Sequence, residues 1–432
     1  MDLSSIMRAS TVRFSGLSSG IDTEQLVQDL MRAHRAPLDK LYQKKQLLEW
    51  QQEDFRNINK ELLAFREKIF DMTLSSAYLV YRVNSTNASV ATATAGSNSM
   101  NSSVSLVVTQ LAQAATASST AGISGGSKID PTMSLDSQRA LFGTDWTSNS
   151  FDITVYHQDG TSTTKTINFD PAVDSLDAVL KKISADPDLK VTAFYDAATD
   201  KVVITSRETG DNNESGNDIV FSGDFLTGTL KLDNSADING KDALLSINGH
   251  ETSKKSNQFT LNGVTYNLAG TGSAMITVQY DVDAVYNKIK DLVDQYNSLI
   301  NNIYAKLTEK RYRDYPPLTQ EQKDQMKENE IKLWEEKARS GLLAGNPELT
   351  RGLLQLERDW MNFVKGVPAG HYDQISDIGI STISYQTRGE LKIDETKLKE
   401  ALSQNPEQVI ALFTRSAEPS ETPESEYTGI AT

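Results

Sequence analysis

The sequence predicts an α+β multidomain protein: a helical, coiled-coil-like stem built from N- and C-terminal segments, with two nested β-rich domains inserted between them. Three observations predict it. Phe55, Ile58, Leu62, Phe65, Ile69 and Met72 are spaced 3, 4, 3, 4, 3. That heptad puts a narrow apolar stripe on one helix, and such a stripe needs a partner helix. Far along the chain, Val285, Ile289, Leu292, Tyr296, Leu299 and Ile303 are spaced 4, 3, 4, 3, 4. Between the two, helix formers give way to alternating Val, Thr, Ser and Ala, which is a strand signal. A chain of 432 residues also exceeds one hydrophobic core, so about three domains are expected.

In chain order, residues 1–37 read as a flexible N-terminal leg segment. Phe14-Ser-Gly-Leu-Ser-Ser-Gly-Ile-Asp22 carries isolated apolar anchors and no helical period. Asp22 or Thr23 caps a short helix lined by Leu26, Val27 and Leu30, and Pro37 is expected to interrupt it. The stem is expected over 38–78 plus 281–413, with Leu41 and Leu48 extending one heptad seam upstream at intervals of seven. Residues 79–127 plus 235–280 are expected to form one β-rich domain, and 128–234 an inserted α+β domain, with Ser118–Ser127 as linker. Within the insert, Phe151–Val155 and Ile167–Phe169 read as a hairpin across Asp159-Gly160. Val191–Tyr195 and Val202–Thr205 read as another, and Leu176, Val179, Leu180 and Ile183 as a short helix. Asn248-Gly249 and Asn262-Gly263 are tight-turn pairs. Farther on, Thr319 and Gln322 make a capping box, Asn346-Pro347 opens a helix, Asp377–Ile380 and Leu391–Ile393 read as short strands, and Asp394 and Asn405-Pro406 start two more helices. Residues 414–432 read as a disordered tail.

Composition excludes several functions. The net charge of −15 argues against nucleic acid, which requires a basic surface. No apolar run is long enough for membrane insertion as a helix. The N-terminus lacks the apolar core of a cleavable signal. The absence of cysteine suits the cytoplasm and equally a protein exported unfolded, and it rules out thiolate chemistry and Cys-ligated zinc. His34, His157, His250 and His371 are scattered without ligand spacing. Gly125-Gly126-Ser127-Lys128 lacks the order of a P-loop. Asp211-Asn-Asn-Glu-Ser-Gly216 matches half a calcium loop, but its twelfth position is Ser222 rather than Glu. The chain is therefore expected not to be an enzyme and to hold no metal or cofactor.

Several stretches carry a resemblance. The Phe14–Asp22 segment, Arg35-Ala-Pro-Leu-Asp39, the helix at Gln46–Trp50 and Val104–Leu111 resemble the bacterial flagellar filament cap proteins, the flagellar hook-associated protein 2 family. So do Lys310-Arg-Tyr-Arg-Asp-Tyr-Pro-Pro-Leu-Thr319, Ile331-Lys-Leu-Trp-Glu-Glu-Lys337, Ser376-Asp-Ile-Gly-Ile380, Leu391-Lys-Ile-Asp394 and Ala401-Leu402. The similarity covers the two outer regions and leaves 128–234 unmatched. It implies a secreted protein at the distal tip of the flagellar filament. It also implies a homo-oligomeric ring, pentamer or hexamer, that promotes ordered polymerisation of exported flagellin. The flagellar type III export apparatus and its export chaperone are implied partners. By the same resemblance Phe14, Leu17 and Ile21 are filament-leg anchors, and Phe55, Leu62, Ile69, Ile289, Leu292 and Leu299 are stem core. Members of the family continue past the point where this chain ends, with a helical region that packs on the N-terminal one. The expectation is thus a truncated chain in which Leu41 and Leu48 lack their partner.

Two other classes compete. A tip adhesin would bind host or surface glycans through the inserted domain, with Asp159, Asp211 and Tyr195 in candidate loops, although aromatic platforms are sparse there. An enzyme hidden in 128–234 has no triad, metal set or cofactor motif behind it. An isolated heptad helix is marginal in water. Residues before about Leu38 are accordingly expected to exchange their amide protons fast in this chain, and slow exchange measured there would contradict the missing partner.

Overall fold

The computed structural model describes residues 23–364, 367–382 and 389–415. Contacts divide them into two units, one formed by the chain up to Tyr78 and from Val282 onward, the other by Leu79–Asp281. The first unit opens on a single helix, α1 (Thr23–Met72). Pro37 lies inside it rather than ending it. A proline removes one backbone hydrogen bond and crowds the carbonyl four residues back. Here that carbonyl belongs to Ala33, and residues 30–38 are all exposed, so water reaches the group left unbonded. Residues 23–37, placed in the leg segment, thus hold the expected helix, which runs on through Pro37 instead of being interrupted there. Phe14, Leu17, Ile21 and the cap candidate Asp22 lie outside the described residues, as do 416–432 of the expected tail.

In the second unit, β1 (Tyr81–Ser85), β2 (Ala91–Ala95) and β3 (Ser102–Gln110) come first, and β10 (Ala243–Ile247) to β14 (Gly272–Tyr280) come last. They form a five-stranded antiparallel sheet, β1-β14-β3-β10-β11, and a three-stranded one, β12-β13-β2, with β11 at His250–Lys254, β12 at Gln258–Leu261 and β13 at Val264–Leu268. The two sheets share one core that includes Leu106, Val108, Leu245, Tyr266, Ile276 and Val278. The hairpins β10–β11 and β12–β13 turn on Asn248-Gly249 and Asn262-Gly263, where all four residues have φ between +50° and +85°. That geometry is the tight turn whose twist matches paired strands, and it favours Asn-Gly.

The inserted part has two small sheets, β4-β8-β7 and β6-β5-β9, and one α-helix, α2 (Leu176–Ala185). The strands are β4 (Ala114–Ser118), β5 (Ser150–Tyr156), β6 (Ser162–Asn168), β7 (Val191–Asp196), β8 (Lys201–Thr209) and β9 (Ile219–Ser222). Trp146 sits in the core with Phe142 and Phe225 edge-on at 5.6 and 5.5 Å. This core runs from Ala115 to Ile238. Ser118–Ser127, expected as a linker, is built into it: β4 ends in this stretch, and Ser119 and Ile123 are fully buried. Ser119 donates to the Leu230 carbonyl and accepts from the Val202 amide, and Ser124 donates to Asp200. Small polar residues read as linker when their hydroxyls face water, and composition does not reveal that these are paired inside.

The insert leaves and rejoins the sandwich at one crossing. Gln113 and Lys241 exchange backbone hydrogen bonds of 2.8 and 2.9 Å, and the Gly210 amide donates to the same Gln113 carbonyl. Buried Asp218 accepts from the amides of Asn212 and Gly240, both at 2.8 Å. Burial, only partly offset by these N–H donors, raises the Asp218 pKa above the ordinary carboxylate value. The half-match to a calcium loop lies in this crossing. Among the described residues no group of three His, Cys, Asp or Glu side chains is placed to hold a metal ion.

The first unit resumes with α3 (Val282–Thr308), α4 (Gln320–Asp324), α5 (Glu328–Arg339) and α6 (Pro347–Met361). The two-stranded β15 (Ile380–Thr382) and β16 (Leu391–Ile393) follow, then α7 (Glu395–Gln404) and α8 (Pro406–Thr414). The caps read from the sequence are in place: the Thr319/Gln322 box, Asn346 accepting from the Glu348 and Leu349 amides, and Asp394 accepting from Lys397. Asn405 precedes α8 without a side-chain cap bond, and Asp377–Gly379 is a turn rather than strand.

The crossing leaves no room for a side chain. A Cβ on Gly240 would lie 2.1 Å from the Gly210 carbonyl oxygen, whereas one on Gly126 would meet nothing within 4 Å. Gly240→Ala is expected to destabilise the protein by more than about 2 kcal/mol and Gly126→Ala by under about 0.5 kcal/mol, read from urea unfolding midpoints.

Candidate functional site

The first unit is organised on α3, which is apolar on more than one side and buried accordingly. Val285, Ile289, Leu292, Tyr296, Leu299 and Ile303 are all buried, and so are Tyr286, Val293 and Ile300, which the heptad reading did not include. One face takes α1. The Phe65 and Tyr296 rings are 6.1 Å apart, and Trp360 of α6 is 5.3 Å from Tyr296. A second face takes β16, which the Asn297 side chain clamps by donating to the Leu391 carbonyl at 2.9 Å and accepting from its amide at 2.8 Å. At the end of α1, Tyr78 stacks on Phe413 of α8 at 5.6 Å and donates to the Met72 carbonyl.

On α1 the heptad divides. Ile58, Phe65 and Met72 are buried, whereas Phe55, Leu62 and Ile69 are half-buried. Upstream the latter seam emerges into solvent: Leu48 is 56% and Leu41 64% exposed, against 5% for Ile58. The cause is the length of the partner. α3 ends at Thr308, and Lys306 in its last turn already lies beside Asp54, so upstream of Asp54 the seam has no α3 to pack on. The seam borders two open grooves, one lined by Leu41, Lys44, Leu48 and Phe55, the other by Phe55, Leu62 and Leu349 of α6.

A charged cluster sits on the buried side. Asp54, four residues before Ile58, is 2% exposed. Its Oδ1 lies 3.2 Å from Lys306 Nζ of α3 and 3.4 Å from Arg339 Nη2 of α5, and Arg339 also reaches Glu53 at 3.0 Å. Its Oδ2 is buried without a hydrogen-bond partner among the described residues. Asp54 stands one position before the stripe residue Phe55, so the heptad spacing does not mark it as buried. Outside it, Lys68 pairs with Asp291, and Asn302 donates to Glu61 at 3.2 Å.

Two of the three residues named for glycan binding are spent locally. Asp159 accepts from the Thr161 amide and hydroxyl, and the Tyr195 hydroxyl donates to Asp200 at 2.7 Å. Asp211 lies at the crossing, its amide donating to Asp242. His157 is buried with its two ring nitrogens 2.9 Å from Glu208 and 3.0 Å from Thr163, whereas His34, His250 and His371 are exposed and far apart in the chain.

Comparison with known proteins places this arrangement. Models of the N- and C-terminal regions of flagellar hook-associated protein 2 match residues 19–115 and 240–432. A flagellar hook-associated protein 2 from Halalkalibacterium halodurans is 36% identical over 427 residues, which is 94% of this chain and 80% of the relative. The chain belongs to the flagellar hook-associated protein 2 family. A second member, from Thermotoga maritima, is 29% identical over 253 residues, covering 56% of this chain and 38% of the relative. Among solved structures, the D1-D2-D3 domains of the flagellar cap protein FliD from Escherichia coli share the fold, with a TM-score of 0.61 and 22% identity over 88% of this chain and 93% of that one. The two family matches flank residues 116–239, so the insert is the part they leave out. The family gives the adhesin alternative no support.

The two seams predict different mutational costs. Ile58→Ala is expected to destabilise the protein by about 2–4 kcal/mol through transfer and cavity terms. Leu48→Ala is expected to cost under about 0.5 kcal/mol, since its side chain is already in water. Denaturant unfolding of both variants checks the assignment.

Proposed function

We propose that this chain is a flagellar filament cap protein. In this reading it sits as a homo-oligomeric ring of five or six copies at the distal filament tip, outside the cell, and promotes ordered polymerisation of flagellin. The observation that carries the proposal is family membership at 36% identity across 94% of the chain. The fold agrees with it: a helical unit assembled from both outer regions, and a separate β unit between them. The flagellar type III export apparatus and its chaperone deliver the protein. The role is mechanical rather than catalytic, and it involves neither nucleic acid nor membrane insertion. Ile58, Phe65, Met72, Ile289, Leu292 and Leu299 hold the stem. The free seam from Leu41 to Leu62 receives a further helical segment, while Phe14, Leu17 and Ile21 anchor the leg in the filament.

The test uses a strain lacking the gene, with flagellin measured in the medium and in filaments. Flagellin is expected to leak as monomer and to return to filaments when the full-length gene is restored. Normal filaments in the deletion strain would overturn the proposal.

A further inference from the structure

Three Asn-Gly pairs occur in the chain, at 239–240, 248–249 and 262–263. In such a pair the glycine nitrogen can attack the carboxamide of the asparagine before it, because glycine has no side chain to shield its backbone. The reaction needs two free groups. The Gly N–H must be available as nucleophile, and the Asn carboxamide must be able to turn towards it. A hydrogen bond to either group holds the two apart.

The structure locks the three pairs to different degrees. At 239–240 both groups are held. The Gly240 amide donates to the Asp218 carboxylate at 2.8 Å, and the Asn239 carboxamide oxygen accepts from the Asp218 amide at 3.0 Å. At 248–249 the side chain is held: its oxygen accepts from the Ser105 amide of β3 at 2.8 Å, and the Asn248 amide donates back to the Ser105 carbonyl at 2.8 Å. At 262–263 both groups are free. Asn262 is exposed, and among the described residues neither its carboxamide nor the Gly263 N–H has a hydrogen-bond partner. Backbone conformation does not separate the last two pairs, with φ of 50° and 85° at 248–249 against 51° and 78° at 262–263. The bond to the side chain does.

We infer that Asn262 is a site of spontaneous deamidation, where the Gly263 nitrogen closes on the Asn262 carboxamide. Hydroxide takes the proton from the Gly263 N–H, and the nitrogen forms a bond to Asn262 Cγ. The bond from Cγ to the carboxamide nitrogen breaks, and that nitrogen leaves as ammonia with a proton from water. Water then opens the five-membered imide. Opening at Cγ leaves aspartate, and opening at the backbone carbonyl leaves isoaspartate, whose main chain runs through the former side chain. Either product puts a negative charge into residues 256–280, which contain no Lys, Arg, Asp or Glu.

Isoaspartate does more, because it lengthens the main chain of a two-residue turn that sets the register of β12 against β13. The turn has no slack. The Gly263 carbonyl accepts from the Gly96 amide and the Ser99 hydroxyl, both at 2.9 Å, and a Cβ on Gly263 would lie 2.9 Å from the Asn98 backbone. Strand β12, at the edge of its three-stranded sheet, is therefore the one that loosens.

The full chain is aged at mildly alkaline pH, folded and in urea, and peptide maps by mass spectrometry follow each pair, with isoaspartate counted by isoaspartyl methyltransferase labelling. In the folded chain position 262 is expected to convert at least about tenfold faster than 248 or 239, which wait on local opening. In urea the three are expected to convert at comparable rates. Freshly purified Asn262→Asp carries the charge without the longer main chain and is expected to keep the parent's unfolding midpoint, whereas the aged parent falls below it. Equal rates at the three pairs in the folded chain, or a folded chain inert at 262 while urea releases all three, overturn the site. An aged, isoaspartate-bearing parent that unfolds like Asn262→Asp overturns the loosening of β12.

Discussion

Two nested closures make this chain foldable. The β unit begins and ends on neighbouring strands: Tyr81 lies opposite Tyr280, and the Asp281 amide donates to the Val80 carbonyl at 2.9 Å. Within it the insert begins and ends on the Gln113–Lys241 pair. Each insertion therefore brings its own two ends together when it folds. That matters because the contacts of the helical unit span enormous sequence separations. Asp54 meets Lys306 across 252 residues. Closing such a loop from a disordered chain is slow, because the entropy is lost before any contact repays it. A folded β unit whose ends are already paired turns that long loop into a short one. The expected order is insert, sandwich, then the α1–α3 pairing.

The stem core then combines two kinds of interaction with different purposes. The apolar positions of α1 and α3 supply burial, which is strong but indifferent to register. The Asp54 cluster supplies register. A carboxylate taken out of water is costly unless cations meet it, and truncating one partner of such a cluster leaves an uncompensated charge. Asp54 has two cations, Lys306 from α3 and Arg339 from α5, and both are delivered only in one alignment of the helices. A slip of α1 along α3 would keep much of the apolar contact and lose this arrangement.

The β unit shows an opposite use of charge. Its insert is acidic and its sandwich strands are almost bare of charge, although both are built from short antiparallel strands. The helical unit keeps part of its apolar surface, the seam from Leu41 to Leu62, outside its own core. That unit thus carries apolar surface beyond what its own folding uses.

Local chemistry was legible in the sequence. The heptads on α1 and α3, the Asn-Gly turns, the capping box at Thr319, the Asn346 and Asp394 caps and the apolar face of α2 all depend on residues within one or two turns of each other, and all appear where the spacing puts them. So did the family, through motifs in the two outer regions. Only the tertiary structure decided which heptad seam is buried. Both seams are equally apolar, and the choice depends on which of them α3, ending beside Asp54, packs against. It also decided that Pro37 stays within a helix, because that turn is open to water, and that Ser119 and Ile123 within the expected linker are core, because the Ser119 hydroxyl finds partners more than 80 residues away. Asp54 and Asp218 look like ordinary surface carboxylates in sequence. Their burial is set by cations and amides that distant segments bring to them, and no local pattern records that.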